Sequence, residues 1–110
     1  MARNTELLVK IRDMIREHPE QHDQDHWAKR TSCGTTYCIA GWAAVLTGAQ
    51  LDWIPVHGGW SANTIDNEDE YIEICAQRVM GLSDEETDLF CLHNAEALLL
   101  LNELIEEAAA

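Results

Sequence analysis

Basic residues are scarce in this 110-residue chain: seven Lys and Arg stand against twenty Asp and Glu, for a formal net charge of −13. Arg78 is the one basic residue after Ile65, where thirteen acids lie, so the second half is the acidic half. Without a strip of cations to track a phosphate backbone, direct nucleic-acid binding is not expected. The same field repels an anionic lipid surface. Long apolar runs are also missing. Cys38 to Leu46 spans nine residues, about half of the roughly 20 that a membrane-crossing helix needs. Neither Gly-x4-Gly-Lys nor Gly-x-Gly-x2-Gly occurs, which removes the phosphate-cradling loops. The first residues, Met1 to Glu6, carry no apolar stretch of the secretory type, so the expected compartment is the cytoplasm. Internal repeats and low-complexity tracts are absent as well.

What is present suits one soluble domain over residues 1–110, with 46% hydrophobic and 25% charged residues and room for a single core. In a reducing compartment the four cysteines, Cys33, Cys38, Cys75 and Cys91, are expected to be free thiols.

Hydrophobic spacing points to helices. Asn4 or Thr5 caps a first helix with Leu7, Leu8, Ile11, Met14 and Ile15 on one side, ended by Pro19. Residues 18–32 read as a polar loop or a short helical turn beginning at Pro19. The apolar stretch from Thr35 or Thr36 to Gly48 reads as a helix without a polar face, which belongs at the centre of a domain. Gly41 inside it marks close approach of another backbone. Over 51–61, Pro55 and Gly58-Gly59 leave two alternatives, a small hairpin or an irregular loop. A third helix is expected from Asp66 or Asn67 to Met80, closed by Gly81, with Ile72, Cys75 and Val79 inward. Ser83 and Glu86 form a capping box for a short helix. Asn94 is expected to cap a last one, striped by Leu98, Leu101, Ile105 and Ala108 and widened by Leu100 and Leu104. The expected architecture is all-α, a bundle of about five helices around the buried central one.

Several groups are candidates for chemistry. Cys33, ahead of a helix N-terminus, is a candidate nucleophile, because the dipole there favours thiolate. Cys33, Cys38, His22 and His26 are candidate metal ligands, with Cys75, Cys91 and His93 as further donors. Their spacing departs from the paired knuckles of structural zinc, and Asp23 stands where a zinc hydrolase places glutamate. No cofactor is expected. For partner binding the candidates are the acids Asp66, Glu68, Asp69, Glu70, Glu73, Asp84, Glu85 and Asp88, together with Trp53 and Trp60. Acids draw cationic surfaces, and tryptophan dominates contact energies.

The run His18-Pro19-Glu20, Gln24, Trp27 and Cys33-Gly34-Thr35-Thr36-Tyr37-Cys38-Ile39-Ala40-Gly41-Trp42-Ala43, with Gly81-Leu82-Ser83-Asp84-Glu85-Glu86 and Leu89-Phe90, resembles a group of small proteins of actinobacteriophages and bacteria. The resemblance covers most of the chain and brings no assigned activity, so no catalytic residue is carried over. His22 stands where members have tryptophan or a similar bulky residue, which favours packing over metal binding there. A phage origin implies a host-directed or defence-directed binding protein.

The leading expectation is thus a non-enzymatic, phage-encoded protein that binds a basic surface of a host protein through its acidic C-terminal half, with mimicry of a nucleic-acid surface as a sharper form. One alternative is a small thiol- or metal-dependent enzyme using Cys33 and a histidine. Another is a protein that sequesters a small ligand in a tryptophan-lined pocket.

Overall fold

Asn4 opens the first helix as its spacing predicts: its side-chain oxygen accepts the Leu7 N–H at 3.2 Å and caps α1 (Thr5–Glu17). The computed structural model describes residues 4–32, 34–66 and 70–109. A single 3-10 turn follows at Pro19–Gln21, then β1 (Ala28–Thr31), β2 (Gly34–Tyr37), α2 (Ile39–Leu46), β3 (Leu51–Val56), β4 (Gly59–Ile65), β5 (Glu70–Tyr71) and α3 (Ile72–Met80). A 3-10 segment at Glu86–Cys91 leads to α4 (Asn94–Ala109).

The chain is therefore a mixed α/β fold, and the expectation of an all-α, purely helical bundle is overturned. Its antiparallel sheet has the order β2-β1-β4-β3, with β5 also paired to β4. β1 pairs with residues 60–62 of β4 and β5 with residues 64–65. β3 runs along the other side of both stretches.

The largest correction falls on the segment expected as one helix from Thr35 or Thr36. Thr35, Thr36 and Tyr37 are β-branched or aromatic and go into β2, where such side chains fit a pleated surface. Cys38 then turns the chain. It is extended (φ −78°, ψ 178°), and its Sγ accepts the Gly41 N–H at 3.3 Å. Ile39 to Ala44 are all buried, so α2 is the interior helix that its composition demands. Gly41 is indeed a point of close backbone approach: a Cβ there would lie 2.1 Å from the Trp27 carbonyl oxygen.

At 51–61 the open alternative resolves as a hairpin, β3 and β4, stabilised by membership of the larger sheet. Pro55 lies on β3, an edge strand that needs no second ladder. Gly59 (φ +156°) faces the Arg30 carbonyl so closely that a Cβ would come within 2.0 Å of its oxygen. α3 is shorter than its acids suggested. Asp66 is in a turn and Glu70 in β5, and the expected start at Asn67 lies outside the described residues. Its inward residues are Ile72, Cys75, Ala76 and Met80, and Gly81 closes it in the left-handed conformation (φ 70°). The capping box forms, with Glu86 N–H to Ser83 Oγ at 3.2 Å and Ser83 N–H to Glu86 Oε1 at 2.8 Å.

Cross-strand register sorts the sheet into two faces, since neighbours along a strand point oppositely. Tyr37, Ala28, Ala62 and Trp53 form one row, in which Ala28 and Ala62 are buried. Thr36, Lys29, Ser61 and Ile54 form the next row on the opposite face, where Ile54 is exposed. The core unites α1, α2, α3, α4 and the alanine row.

Candidate interaction surfaces

His22 and Gln24 begin the polar interior. Both are buried. Gln24 Oε1 accepts the Ile39 N–H at 2.6 Å, so it is an acceptor, and His22 Nε2, 3.0 Å from the same oxygen, must be the donor. Gln24 also donates its backbone N–H to Asn94 Oδ1 at 2.8 Å, and Asn94 Nδ2 reaches His22 O at 3.2 Å. Asn94 therefore ties a loop down instead of capping α4, whose Ala97 N–H turns to His93 O. His22 is a buried, hydrogen-bonded residue, whereas His26 is exposed. The two do not share a helical face, because residues 22–26 form no helix.

The described cysteines differ in environment. Cys38 and Cys75 are buried, and Cys91 is exposed; Cys38 and Cys91 are free thiols. Burial pushes the Cys38 thiol up to about 12 even though Gly41 N–H bonds to its sulfur. It is a helix cap, not a nucleophile. Cys33, the candidate nucleophile and metal ligand, lies outside the described residues. Among the described residues no group of three His, Cys, Asp or Glu side chains comes together to hold a metal ion. No helix among them is long and apolar enough to cross a membrane.

The acidic candidates divide. Glu70 is half-buried and bound to Arg78 Nη2 at 2.8 Å, and Asp84 accepts from Gln77 Nε2 at 2.8 Å. Asp66, Glu73, Glu85 and Asp88 project into solvent; Glu68 and Asp69 lie outside the described residues. The structure adds α4. Ala97, Leu101, Leu104 and Ile105 face the core, and Leu98 and Leu100 are half-buried; Ala108 of the expected stripe lies outside the described side chains. The opposite side presents Glu96, Leu99, Glu103 and Glu106, a spacing of three and four residues that sets them in one stripe. That face was readable as the complement of the leucine stripe.

The tryptophans also separate by role. Trp42 is buried beside Tyr37, with ring centroids 4.9 Å apart, and its indole N–H has no partner among the described residues. Trp27 meets the edge of Phe90 at 6.1 Å. Trp53 and Trp60, expected in a loop or a small hairpin, sit on β3 and β4 in the sheet. Trp53 is half-buried beneath the Arg30 guanidinium, 4.2 Å from its ring centroid, and Trp60 is 43% exposed.

Beside Trp53 opens a cleft of about 340 Å³ walled by Tyr37, Val45, Ala49, Gln50, Leu51 and Trp53. Burial pushes the Tyr37 phenol up, opposed by the charge of Arg30, so the two groups share one electrostatic neighbourhood. Arg30 and Tyr37 were not singled out from the sequence. No local signal marks them, because they meet Trp53 only through strand register. A scan of protein-family models and searches of curated proteins and of solved structures return no match for this chain.

Proposed function

We propose that this chain is a binding protein whose acidic C-terminal half docks on the basic surface of a protein partner, with α4 as the contact element. The observation that carries the reading is the outward stripe of α4. Leu99, 63% exposed, stands there between Glu96 and Glu103, with Glu106 one turn further on. A partner that presents Lys or Arg around an apolar spot removes Leu99 from water and neutralises the glutamates together. Glu106 also lies at the negative end of the helix dipole, and the last turn holds no basic residue. A cation supplied from outside relieves that repulsion. The free thiols Cys38 and Cys91 suit a reducing compartment, which supports an encounter in the cytoplasm. The competing reading, a thiol- or metal-dependent enzyme, draws no support from the described cysteines and histidines.

The test uses the full chain with a photo-crosslinking residue at position 99 or, as control, at Lys10 on α1. A product specific to position 99, lost as salt rises and in the Glu96→Gln/Glu103→Gln/Glu106→Gln variant, is the expected result. Identical products from both positions, or indifference to salt and to the amides, would overturn the proposal.

A further inference from the structure

We propose that the cleft between Tyr37 and Trp53 binds a small organic anion with a flat apolar body, Arg30 taking the anionic group. The site is independent of the α4 surface and turns on the opposite sign of charge: a cation with no ion pair among the described residues, in a chain of net charge −13.

Three observations converge on it. First, the cleft has the size and lining for such a body. Its volume of about 340 Å³ falls in the range of small-molecule sites and exceeds the roughly 150 Å³ that encloses benzene. Its walls combine two aromatic rings with Val45 and Leu51. The rings stand at the two ends of one cross-strand row, and strand register sets them on the same face of the sheet.

Second, Arg30 is held without being neutralised. Its guanidinium lies 4.2 Å from the Trp53 ring centroid, and among the described residues no carboxylate is within ion-pair distance of it. A guanidinium held over a ring by its charge keeps the N–H donors of its edge for a carboxylate or phosphate, in the fork geometry that favours two parallel bonds.

Third, Tyr37 is the cross-strand partner of Ala28, two residues from Arg30 on the same sheet face, and its phenol feels the Arg30 charge. Burial keeps that phenol protonated, hence able to donate a hydrogen bond to an anion.

The apolar body is required. Arg30 is exposed, an exposed ion pair in water is weak, and the chain's overall field repels bare anions. Acetate or inorganic phosphate alone should therefore bind poorly.

The experiment is a titration of the full, isotope-labelled chain, read at the four tryptophan indole N–H signals. The probes are 2-naphthoate, 2-naphthyl phosphate, 2-naphthylmethanol and the 2-naphthylmethylammonium ion. The two anions should shift the Trp53 signal, and the tighter of them identifies the source of the charge, carboxylate or phosphate. The neutral and cationic probes should bind about tenfold more weakly or worse, the loss expected when a charged hydrogen bond is forfeited. Arg30→Gln should weaken the anions by a similar factor. Lys29→Gln removes the same charge from the opposite sheet face and should change binding by less than about twofold. Equal binding of all four probes, equal losses in the two variants, or shifts centred on Trp60 would overturn the inference. Should Arg30→Gln fail to fold, the comparison of probes on the unaltered chain decides between the same outcomes.

Discussion

The side-chain oxygen of Gln24 accepts the backbone N–H of Ile39 at 2.6 Å, across fifteen residues of sequence. A helix begins with amide groups that have no partner of their own. For buried α2 these are met by Gln24 and by the Cys38 sulfur. Because Gln24 also donates from Nε2 to Leu89 O at 3.4 Å and from its backbone to Asn94, it links the start of α2 to the 3-10 segment and to α4. Gln24→Leu keeps volume but strands the Ile39 N–H, and should destabilise the fold by about 2 kcal/mol in urea titration. Gln24→Glu keeps the acceptors and loses the Leu89 contact, so a smaller loss is expected. Equal stabilities of the leucine variant and the natural chain would contradict this role.

Gly41 allows α2 to reach the Trp27 backbone. Gly41→Ala forces a Cβ to 2.1 Å from a carbonyl oxygen that cannot swing away, since it also accepts the Cys38 N–H. A loss of about 3 kcal/mol is expected, at the upper end for overpacking. Gly48→Ala is the contrast: a Cβ there meets nothing within 4 Å and bears only the strain of φ +91°, about 1 kcal/mol. Thermal unfolding of the pair separates contact from conformation, and the prediction fails if Gly48→Ala is the costlier change.

Cys38 should be silent towards thiol reagents and audible at high pH. In a Cys33→Ser background, Cys91 is exposed and should react in the native state, whereas buried Cys38 should wait for unfolding. The thiol of Cys38 is raised from 9.0 to about 12. Below pH 9 both folded and unfolded chains keep its proton and its effect on stability is constant. Between pH 9 and about 12 the unfolded chain releases the proton and the folded chain does not, so stability falls as pH rises, by up to ~1.4 kcal/mol per pH unit. Tyr37, also raised, adds to the fall above pH 10. Cys38→Ser should flatten the earlier part of the decline, as seen by urea midpoints across pH 8 to 11. An unchanged slope would assign it elsewhere.

The features legible in the sequence are those decided within a few residues. The Asn4 cap, the Gly81 stop and the Ser83 and Glu86 box depend on local backbone chemistry, and Gly41 shows itself as a glycine inside an otherwise apolar helix although its contact, Trp27, is fourteen residues away. The strands β1 and β2 do not. Each is four residues long, and Lys29 and Arg30 give β1 no apolar alternation beyond Ala28. What makes them strands is pairing, and the β1 partner Ala62 lies in another part of the chain. Asn94 shows the same limit from the other side. It has the right residue type and position for a cap, yet Gln24 and His22 engage it more strongly from outside the helix. Of the candidate surfaces, the exposed acids follow from helical spacing, while the meeting of Arg30, Tyr37 and Trp53 follows only from strand register.

The packing of α1 against α4 has a consequence for the order of synthesis. Arg16 Nη2 and Asn102 Oδ1 lie 3.4 Å apart although 86 residues separate them, and Leu101, Leu104 and Ile105 complete the core that Leu8 and Ile11 begin. α1 is thus made well before the helix that covers it. Its greasy side stays open until α4 has been translated and has docked. A chain interrupted within α4 would show its damage at the far element, on α1.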